Sequence, residues 1–412
     1  MTKIDTGDTA WVLISAALVL LMTPGLAFFY GGMVRSKSVL STLFQNYVAL
    51  AVVGLLWAIC GYSLVFSGDH AGLIGDLSKA FLNGVGQEPN ADYAATIPHL
   101  AFMIYQCMFA VITPALITGA FAERVSFKAW VLFMGLWTLF VYFPIAHWVW
   151  GVGGWIHQMG GIDFAGGMVV HMSAGFSALV AAVLLGKRRG FEKMDAKPHD
   201  TGMILLGTAL LWFGWFGFNA GSALGANGLA AQAFATTFFA SAASMTSWML
   251  VDWFVKGKPS AVGAAVGAVA GLATITPAAG YVTVGSALLI GCLAGLICNG
   301  AVIFIKSTSK VDDTLDVFGC HGIGGTLGVL LTGVFATKSV NPAGADGLFY
   351  GGTHFFGVQC LSALAVAAFS VTATIVIIKA IELVVPMRVT ALDEDSGLDF
   401  SQHAEAISGF VV

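Results

Sequence analysis

The sequence predicts an all-α protein that crosses a membrane many times. Of its 412 residues, 58% are hydrophobic and only 10% are charged, and the mean hydropathy of +0.86 lies outside the range of soluble domains. Apolar stretches of roughly 20 residues, the length that crosses a bilayer core, recur along the whole chain. Runs such as SALVAAVLLG do not alternate in polarity, as the strands of a transmembrane β-barrel would.

The apolar stretches predict eleven membrane spans, numbered 1 to 11 in chain order. They lie at residues 10–33, 42–66, 99–121, 127–149, 163–186, 201–223, 230–254, 262–280, 284–306, 317–336 and 349–379.

The distribution of positive charge predicts the orientation, because cytoplasmic loops hold an excess of lysine and arginine. With the N-terminus outside, 15 of the 18 such residues lie on the inner side: Arg35, Lys37, Arg124, Lys128, Lys187, Arg188, Arg189, Lys193, Lys197, Lys256, Lys258, Lys306, Lys310, Lys379 and Arg388. Only Lys3, Lys79 and Lys338 then lie outside. The sequence therefore predicts an N-out, C-in topology.

The chain divides into a transmembrane domain, residues 1–386, and a short acidic cytoplasmic tail, residues 387–412. The start, MTKIDTGDTA, lacks the cationic region of a signal peptide, so we expect no cleaved one. The six cysteines fall within or at the edges of spans, and we expect no disulfide framework. The net charge of −4 carries little information, and no basic run predicts a nucleic-acid partner.

Spans 5 and 10 contain related motifs. DFAGGMVVHMSAG begins at Asp163 and contains His171, and DVFGCHGIGG begins at Asp316 and contains His321. The histidines are 150 residues apart, about the length of five spans. Because five is odd, the second copy would be upside down, which predicts inverted repeats of spans 1–5 and 6–10 plus an extra span 11. The aspartate-to-histidine spacing differs, eight residues against five.

The two histidines are candidate functional residues. A helix places His171 about 12 Å below Asp163, near the middle of the bilayer, where ionisable groups are costly and usually functional. The alternative is a neutral histidine that only bonds a neighbouring helix. A pair of neutral imidazoles can pass hydrogen bonds along a narrow path or accept a proton. The small residues nearby are interpreted as packing: Ser173, Ala174, Gly175, Gly322, Gly324 and Gly325.

No motif predicts an enzyme, a metal site or a cofactor. Cys320 and His321 are adjacent rather than helically spaced, and HExxH, paired CxxC and GxSxG motifs are absent.

Aromatic runs flank the predicted path in spans 3, 4 and 6: YQCMFAVIT, AHWVWG and GWFGFNAGS. Singly, such residues are typical of interface belts and packing. Together, Trp150, Phe109, Phe218 and Ser222 could form a cation-binding vestibule, because aromatic faces attract cations.

Seven sequence blocks, in order, resemble signatures of the ammonium transporter (Amt/MEP/Rh) family. They are FFYGGMVRSKSVLS, GAFAER, DFAGGMVVHMSAGFSALVAAVLLGKRRG, GWFGFNAGS, KPS, TPAAGYV and VDDTLDVFGCHGIGG. The resemblance covers nearly the whole chain. It implies an eleven-span homotrimer in the plasma membrane, with a pore in each subunit.

The resemblance also implies roles for individual residues. Trp150, Phe109 and Ser222 correspond to the outer ammonium site, and Phe109 with Phe218 corresponds to the stacked gate. The presence of Trp150 and Ser222 favours the Amt branch over the Rh branch, where the high-affinity outer cation site is not expected.

In the pore itself, His171 and His321 correspond to the twin histidines, and Trp215 to the tryptophan beside them. Asp163 corresponds to the family's outer aspartate. At a helix N-terminus, the carboxylate of Asp163 could equally cap unpaired N–H groups.

The implied function is conduction of ammonium or ammonia, and of methylammonium. Ammonium and potassium are similar in size and charge, but only ammonium can give up a proton, so selectivity would arise from deprotonation before an apolar constriction. The alternative is an ammonium sensor that signals through its cytoplasmic loops. A PII-type protein is the implied cytoplasmic partner, although the tail, GLDFSQHAEAISGF, has HAE where relatives have HGE and lacks the tyrosine that follows.

Overall fold

The computed structural model describes residues 3–191, 198–308 and 311–407, and most of them are helical. Within these ranges, ten helical segments are long and apolar enough to cross a membrane: Thr6–Met33, Ser36–Phe66, His99–Phe121, Phe127–Gln158, Gly167–Leu185, Thr201–Ala223, Gly228–Lys256, Val284–Ser307, Phe318–Phe335 and Thr353–Glu382. The predicted all-α, multi-pass membrane protein is confirmed. The count of eleven spans and the N-out orientation stay predictions.

The individual elements have the following bounds. The helices are α1 Thr6–Met33, α2 Val39–Leu56, α3 Tyr62–Phe66, α4 His99–Phe121, α5 Phe127–Trp137, α6 Phe143–Trp150, α7 Trp155–Gln158, α8 Ser173–Leu185, α9 Thr201–Ala220, α10 Gly228–Lys256, α11 Ala261–Ile275, α12 Val284–Thr308, α13 Gly324–Phe335, α14 Thr353–Glu382, α15 Ala391–Ser396 and α16 Leu398–His403. Two short antiparallel strands in the loop before α4 are β1 Pro89–Asn90 and β2 Ala94–Pro98.

The eighth predicted span is shorter than expected. Helix α11 ends at Ile275 rather than near residue 280. Pro277 has no backbone N–H to continue the helix, and the chain turns instead, with the N–H of Ala278 donating to Ile275 O at 2.9 Å. The early end leaves Thr276 at the helix terminus, deep inside the protein.

Each histidine lies in a π turn that leads into a helix. Gly167–Met172 precedes α8 and contains His171, while Phe318–Ile323 precedes α13 and contains His321. Single π turns are rare and are frequently found at functional sites.

Helix α8 packs against the turn that carries His321, and helix α13 packs against the turn that carries His171, both at backbone distance. A Cβ atom at Gly175 would lie 2.1 Å from the backbone nitrogen of Gly322, and one at Gly325 would lie 2.9 Å from the Cβ of His171. Only glycine fits at such distances. The interpretation of these glycines as packing residues is confirmed, and their packing brings the two histidines together.

The tail folds back onto the loops at the end of the bundle that is predicted to be inner. Two backbone N–H groups at the start of α2, those of Leu40 and Ser41, donate to the carboxylate of Asp399 at 3.0 and 2.8 Å. Ala404, the residue that departs from the family's HGE pattern, has a φ of 54°. That left-handed conformation favours glycine, so the departure places a side chain where the backbone resists it.

Candidate functional site

Three spaces follow one another along α4, which is almost entirely buried. An outer cavity of about 650 Å³ contacts Phe102 and Phe109, a constriction contacts Ile112 and Leu116, and an inner cavity of about 620 Å³ begins at Glu123, just past the helix end. At 1.5 Å per residue, Phe109 and Leu116 lie about 10 Å apart along the axis. The two cavities therefore lie on opposite sides of the constriction, on one line through the protein.

The outer cavity brings together the predicted cation-site residues Phe109, Trp150 and Ser222, which all line it. The ring of Phe109 is perpendicular to that of Trp150, with centroids 5.9 Å apart. Phe218 does not line this cavity but faces the constriction. The vestibule predicted from four residues thus has three of them on its wall and the fourth behind it.

Ser222 offers a hydrogen-bond acceptor to the outer cavity. Its hydroxyl donates to the carbonyl of Phe218 at 2.9 Å, which uses its only proton. The hydroxyl of Tyr105 donates to the same carbonyl at 2.9 Å and lies 3.1 Å from the Oγ of Ser222. The sequence predicts no particular role for Tyr105, whose only signal is its place one turn before Phe109.

Phe109 and Phe218 separate the outer cavity from the constriction. Their ring centroids lie 4.3 Å apart with 33° between the ring planes. Both side chains are almost fully buried. The rings close the path, and they must move apart for anything to pass.

The constriction is nearly filled by side chains. Its remaining volume is about 10 Å³, room for at most about one water molecule. Its described lining is aliphatic and aromatic except for His171 and His321. These two imidazoles therefore meet any permeant in a dry, apolar passage.

The imidazoles of His171 and His321 are hydrogen-bonded to each other. Their Nδ1 atoms are 3.2 Å apart, and the ring centroids are separated by 5.2 Å. Trp215 stacks on His171, with ring centroids 5.4 Å apart. The three pore residues predicted from the sequence thus form one contiguous group.

Thr276 determines which nitrogens carry the protons. Its hydroxyl donates to Leu272 O at 2.7 Å, so its oxygen can only accept from Trp215 Nε1 at 3.0 Å and His171 Nε2 at 3.3 Å. In the neutral pair, His171 then has a bare Nδ1 that accepts from the Nδ1–H of His321. This arrangement leaves Nε2 of His321 as an acceptor. No sequence signal singles out Thr276, although it belongs to the TPAAGYV block.

The carboxylate of Asp163 caps the turn that carries His171. It accepts four backbone N–H groups, those of Gly166 and Gly167 on one oxygen at 2.8 and 2.6 Å, and those of Met168 and Val169 on the other at 2.7 and 3.2 Å. The backbone carbonyl of Asp163 accepts from Trp150 Nε1 at 2.9 Å. The capping role considered from the sequence is therefore the one that the geometry shows.

The counterpart of Asp163 in the second motif is Asp313, which corrects the pairing with Asp316. The carboxylate of Asp313 accepts from Val317, Phe318 and Gly319 N–H at 3.0, 2.9 and 3.3 Å. Asp313 precedes His321 by eight residues, the spacing from Asp163 to His171. Asp316 is nearer to His321 in the sequence, but its side chain does not cap the histidine turn.

Asp316 has a left-handed φ of 60°, and its carboxylate forms an ion pair with Lys306 at 2.7 Å. Capping carboxylate, π turn and histidine thus recur at an interval of 150 residues. This recurrence supports the predicted inverted repeat.

Charged side chains surround the inner cavity. Arg188 forms ion pairs with Asp312 at 2.8 Å and with Glu123 at 3.3 Å. Burial acts to raise the pKa of Asp312, but the hydrogen bonds and charge of Arg188 outweigh it and hold that pKa below its ordinary value. Burial, followed by the negative charge of Asp316, raises the pKa of Asp313 to about 7. Asp313 can therefore exchange a proton near neutral pH.

Two polar cavities joined by a dry constriction inside a helical membrane bundle define a membrane transport protein. The chain belongs to the Ammonium Transporter Family, whose model matches residues 10–407. It is 50% identical to an ammonium transporter of Bacillus subtilis over 399 residues, which cover 97% of this chain and 98% of the relative. Ammonium transporter Amt1 of Archaeoglobus fulgidus is 45% identical over the same shares. A family of transporters agrees with the prediction that the chain is not an enzyme.

Solved structures share the fold. Mep2 of Saccharomyces cerevisiae superposes with a TM-score of 0.90 at 35% identity, covering 99% of this chain and 94% of the other. A protein described as a sensor Amt protein superposes with a TM-score of 0.88 at 29% identity, covering 96% and 98%. Mep2 and a protein described as a sensor therefore both have the architecture of this chain.

The two aspartates at the starts of the motifs should differ in their contribution to stability. Asp163→Asn replaces an oxygen that accepts two buried N–H groups, and we expect it to lower the free energy of unfolding by at least about 2 kcal/mol. Asp316→Asn removes a partly exposed ion pair and should cost less than about 1 kcal/mol. Thermal unfolding of the purified variants in detergent measures both. Equal midpoints for the two variants would contradict the capping role of Asp163.

Proposed function

We propose that this chain carries ammonium across the plasma membrane by binding it in the outer cavity, removing a proton, and passing ammonia through the constriction. The observation that supports this best is the pair of buried, hydrogen-bonded histidines in an apolar passage between two polar cavities. A passage of this kind favours a neutral permeant over an ion.

The outer cavity recognises the cation. Trp150 and Phe109 offer aromatic surface, and a cation–π contact contributes roughly 0.5–2 kcal/mol. The Oγ of Ser222 can accept one N–H bond of ammonium. The carboxylate of Asp163 is already satisfied by four N–H groups, so it acts through its charge rather than as a direct ligand.

Deprotonation then provides selectivity. Moving a bare ion past the rings of Phe109 and Phe218 removes its hydration in a low-dielectric medium, at an idealised cost of tens of kcal/mol. Ammonium avoids this cost by leaving its proton behind, whereas potassium cannot. The gate therefore separates two ions that the outer aromatic rings bind similarly.

The histidine pair can relay the proton. A proton accepted by Nε2 of His321 allows the proton on its Nδ1 to transfer to Nδ1 of His171. His321 is then neutral, and His171 carries the charge with protons on both nitrogens. Transfer back to His321 and release from its Nε2 restore the neutral pair, because Nε2 of His171 stays bonded to Thr276. At the inner end, Asp313 is a group that can take up or release a proton near neutral pH.

The family also suggests partners. We propose a homotrimer, with residues 1–386 as the transmembrane domain and residues 387–412 as a cytoplasmic tail available to a PII-type protein. A sensor role is the second candidate, because a structural neighbour is described as a sensor. Transport measurements on the purified protein separate the two roles.

A proteoliposome assay tests the proposed function. An inward ammonium gradient should produce an electrical current without ATP and little rise in internal pH, because the proton follows the ammonia. An equal potassium gradient should produce no current. A pH change without current would remove the relay but keep transport. Absence of both signals would contradict transport and favour the sensor.

Substitutions in the outer cavity should weaken ammonium binding. Trp150→Leu should raise the half-saturating ammonium concentration from a few-fold to about thirty-fold. Ser222→Ala should act in the same direction because it removes an acceptor. Trp148→Leu is the matched control, since Trp148 lies in the same helix, bonds Leu73 O and does not line the cavity. Wild-type half-saturation in both site variants would mean that the cation binds elsewhere.

A further inference from the structure

Gln359, in helix α14, holds the wall of the outer cavity. The wall segment, residues 160–163, lines that cavity and leads to the cap of the His171 turn. The side-chain amide of Gln359 accepts from the N–H of Ile162 at 3.0 Å and donates to the carbonyl of Ile162 at 3.0 Å. It also approaches the carbonyl of Val329, in α13, at 3.5 Å. One side chain thus joins the wall segment to the helix that follows His321.

The hydrogen bonds of Gln359 to Ile162 provide partners for backbone groups of the wall segment. The wall segment is neither helix nor strand, so its backbone groups have no regular partners, and unpaired polar groups are costly inside a membrane protein. Gln359 is itself completely buried, where an unbonded amide would be equally unfavourable. Its two bonds to Ile162 also fix the orientation of the amide, because only the oxygen can receive the N–H.

The next residue transmits this position to the site. Asp163 follows Ile162 directly; its carbonyl accepts from the indole of Trp150 and its carboxylate caps the turn of His171. A shift of the wall segment therefore moves the aromatic ring of the cation site and the start of the histidine turn together.

From this chain of contacts we infer that Gln359 is a positioning residue for the outer cation site, acting through Ile162 and Asp163. The inference rests on the proposed function and extends it to α14, the helix that lies outside both predicted repeats. That helix thereby contributes to substrate affinity as well as to the bundle.

The test separates positioning from stability. Gln359→Met removes both bonds at similar length and should raise the half-saturating concentration of methylammonium about three- to tenfold. The maximal rate per folded protein should stay within about twofold of wild type. The control is Thr374→Val, in the same helix. Thr374 is also buried and bonds Ser177 Oγ at 2.8 Å, but lies about 22 Å further along the axis. This variant should lose stability without any change in half-saturation.

A second variant provides the test if Gln359→Met does not fold. Gln359→Glu keeps the acceptor for the N–H of Ile162 but loses the donor, and its half-saturation should also rise. Unchanged half-saturation in a folded variant, or failure of both variants to fold, would overturn the inference and leave Gln359 with a purely structural role. An inactive wild-type protein in the same assay would instead count against the proposed function.

Discussion

The hydrogen bond between the Nδ1 atoms of His171 and His321 imposes conditions on everything around it. The segments that carry the two histidines must approach to backbone contact, which requires glycine at 175 and 325. Each histidine turn also begins inside the protein, where no regular partner exists for its first N–H groups, so a carboxylate must cap it. Asp163 and Asp313 supply those caps, eight residues before each histidine.

The charged side chains lie at the two cavities, outside the constriction that contains the histidine pair. Ion pairs such as Arg188 with Asp312 surround the inner cavity, and the carboxylate of Asp163 lies at the outer one. Between them the described lining carries only the two imidazoles as titratable groups. A cation that reaches Phe109 therefore exchanges its water for aromatic faces and the hydroxyl of Ser222, and it gains nothing by entering the constriction with its charge.

Much of this arrangement could be predicted from the sequence, because hydropathy, charge asymmetry and motif spacing are local signals. The spans, the histidine pair and the residues of the outer cavity follow from such signals and from the family resemblance. The hydrogen-bond partners that fix the geometry of these residues do not follow from local signals. Thr276 lies 105 residues from His171, and Gln359 lies 197 residues from Ile162.

Backbone conformation accounts for the other differences. The predicted pairing of Asp316 with Asp163 is wrong because the left-handed backbone of Asp316 directs its side chain away from the histidine turn. Asp313 caps that turn instead. The eighth span is short because Pro277 ends it. In the tail, Ala404 lies where glycine fits better, a conflict that only the dihedral angle reveals.

A double-mutant cycle determines whether the two histidines act as one unit. His171→Ala, His321→Ala and the double variant would be compared in proteoliposomes for ammonium-evoked current and for potassium leakage. Coupled residues give non-additive losses, so each single variant should abolish the current or admit potassium, and the double variant should be little worse than either. Folded single variants that keep ammonium selectivity, or effects that simply add, would contradict a coupled histidine pair and place selectivity at the outer aromatic site.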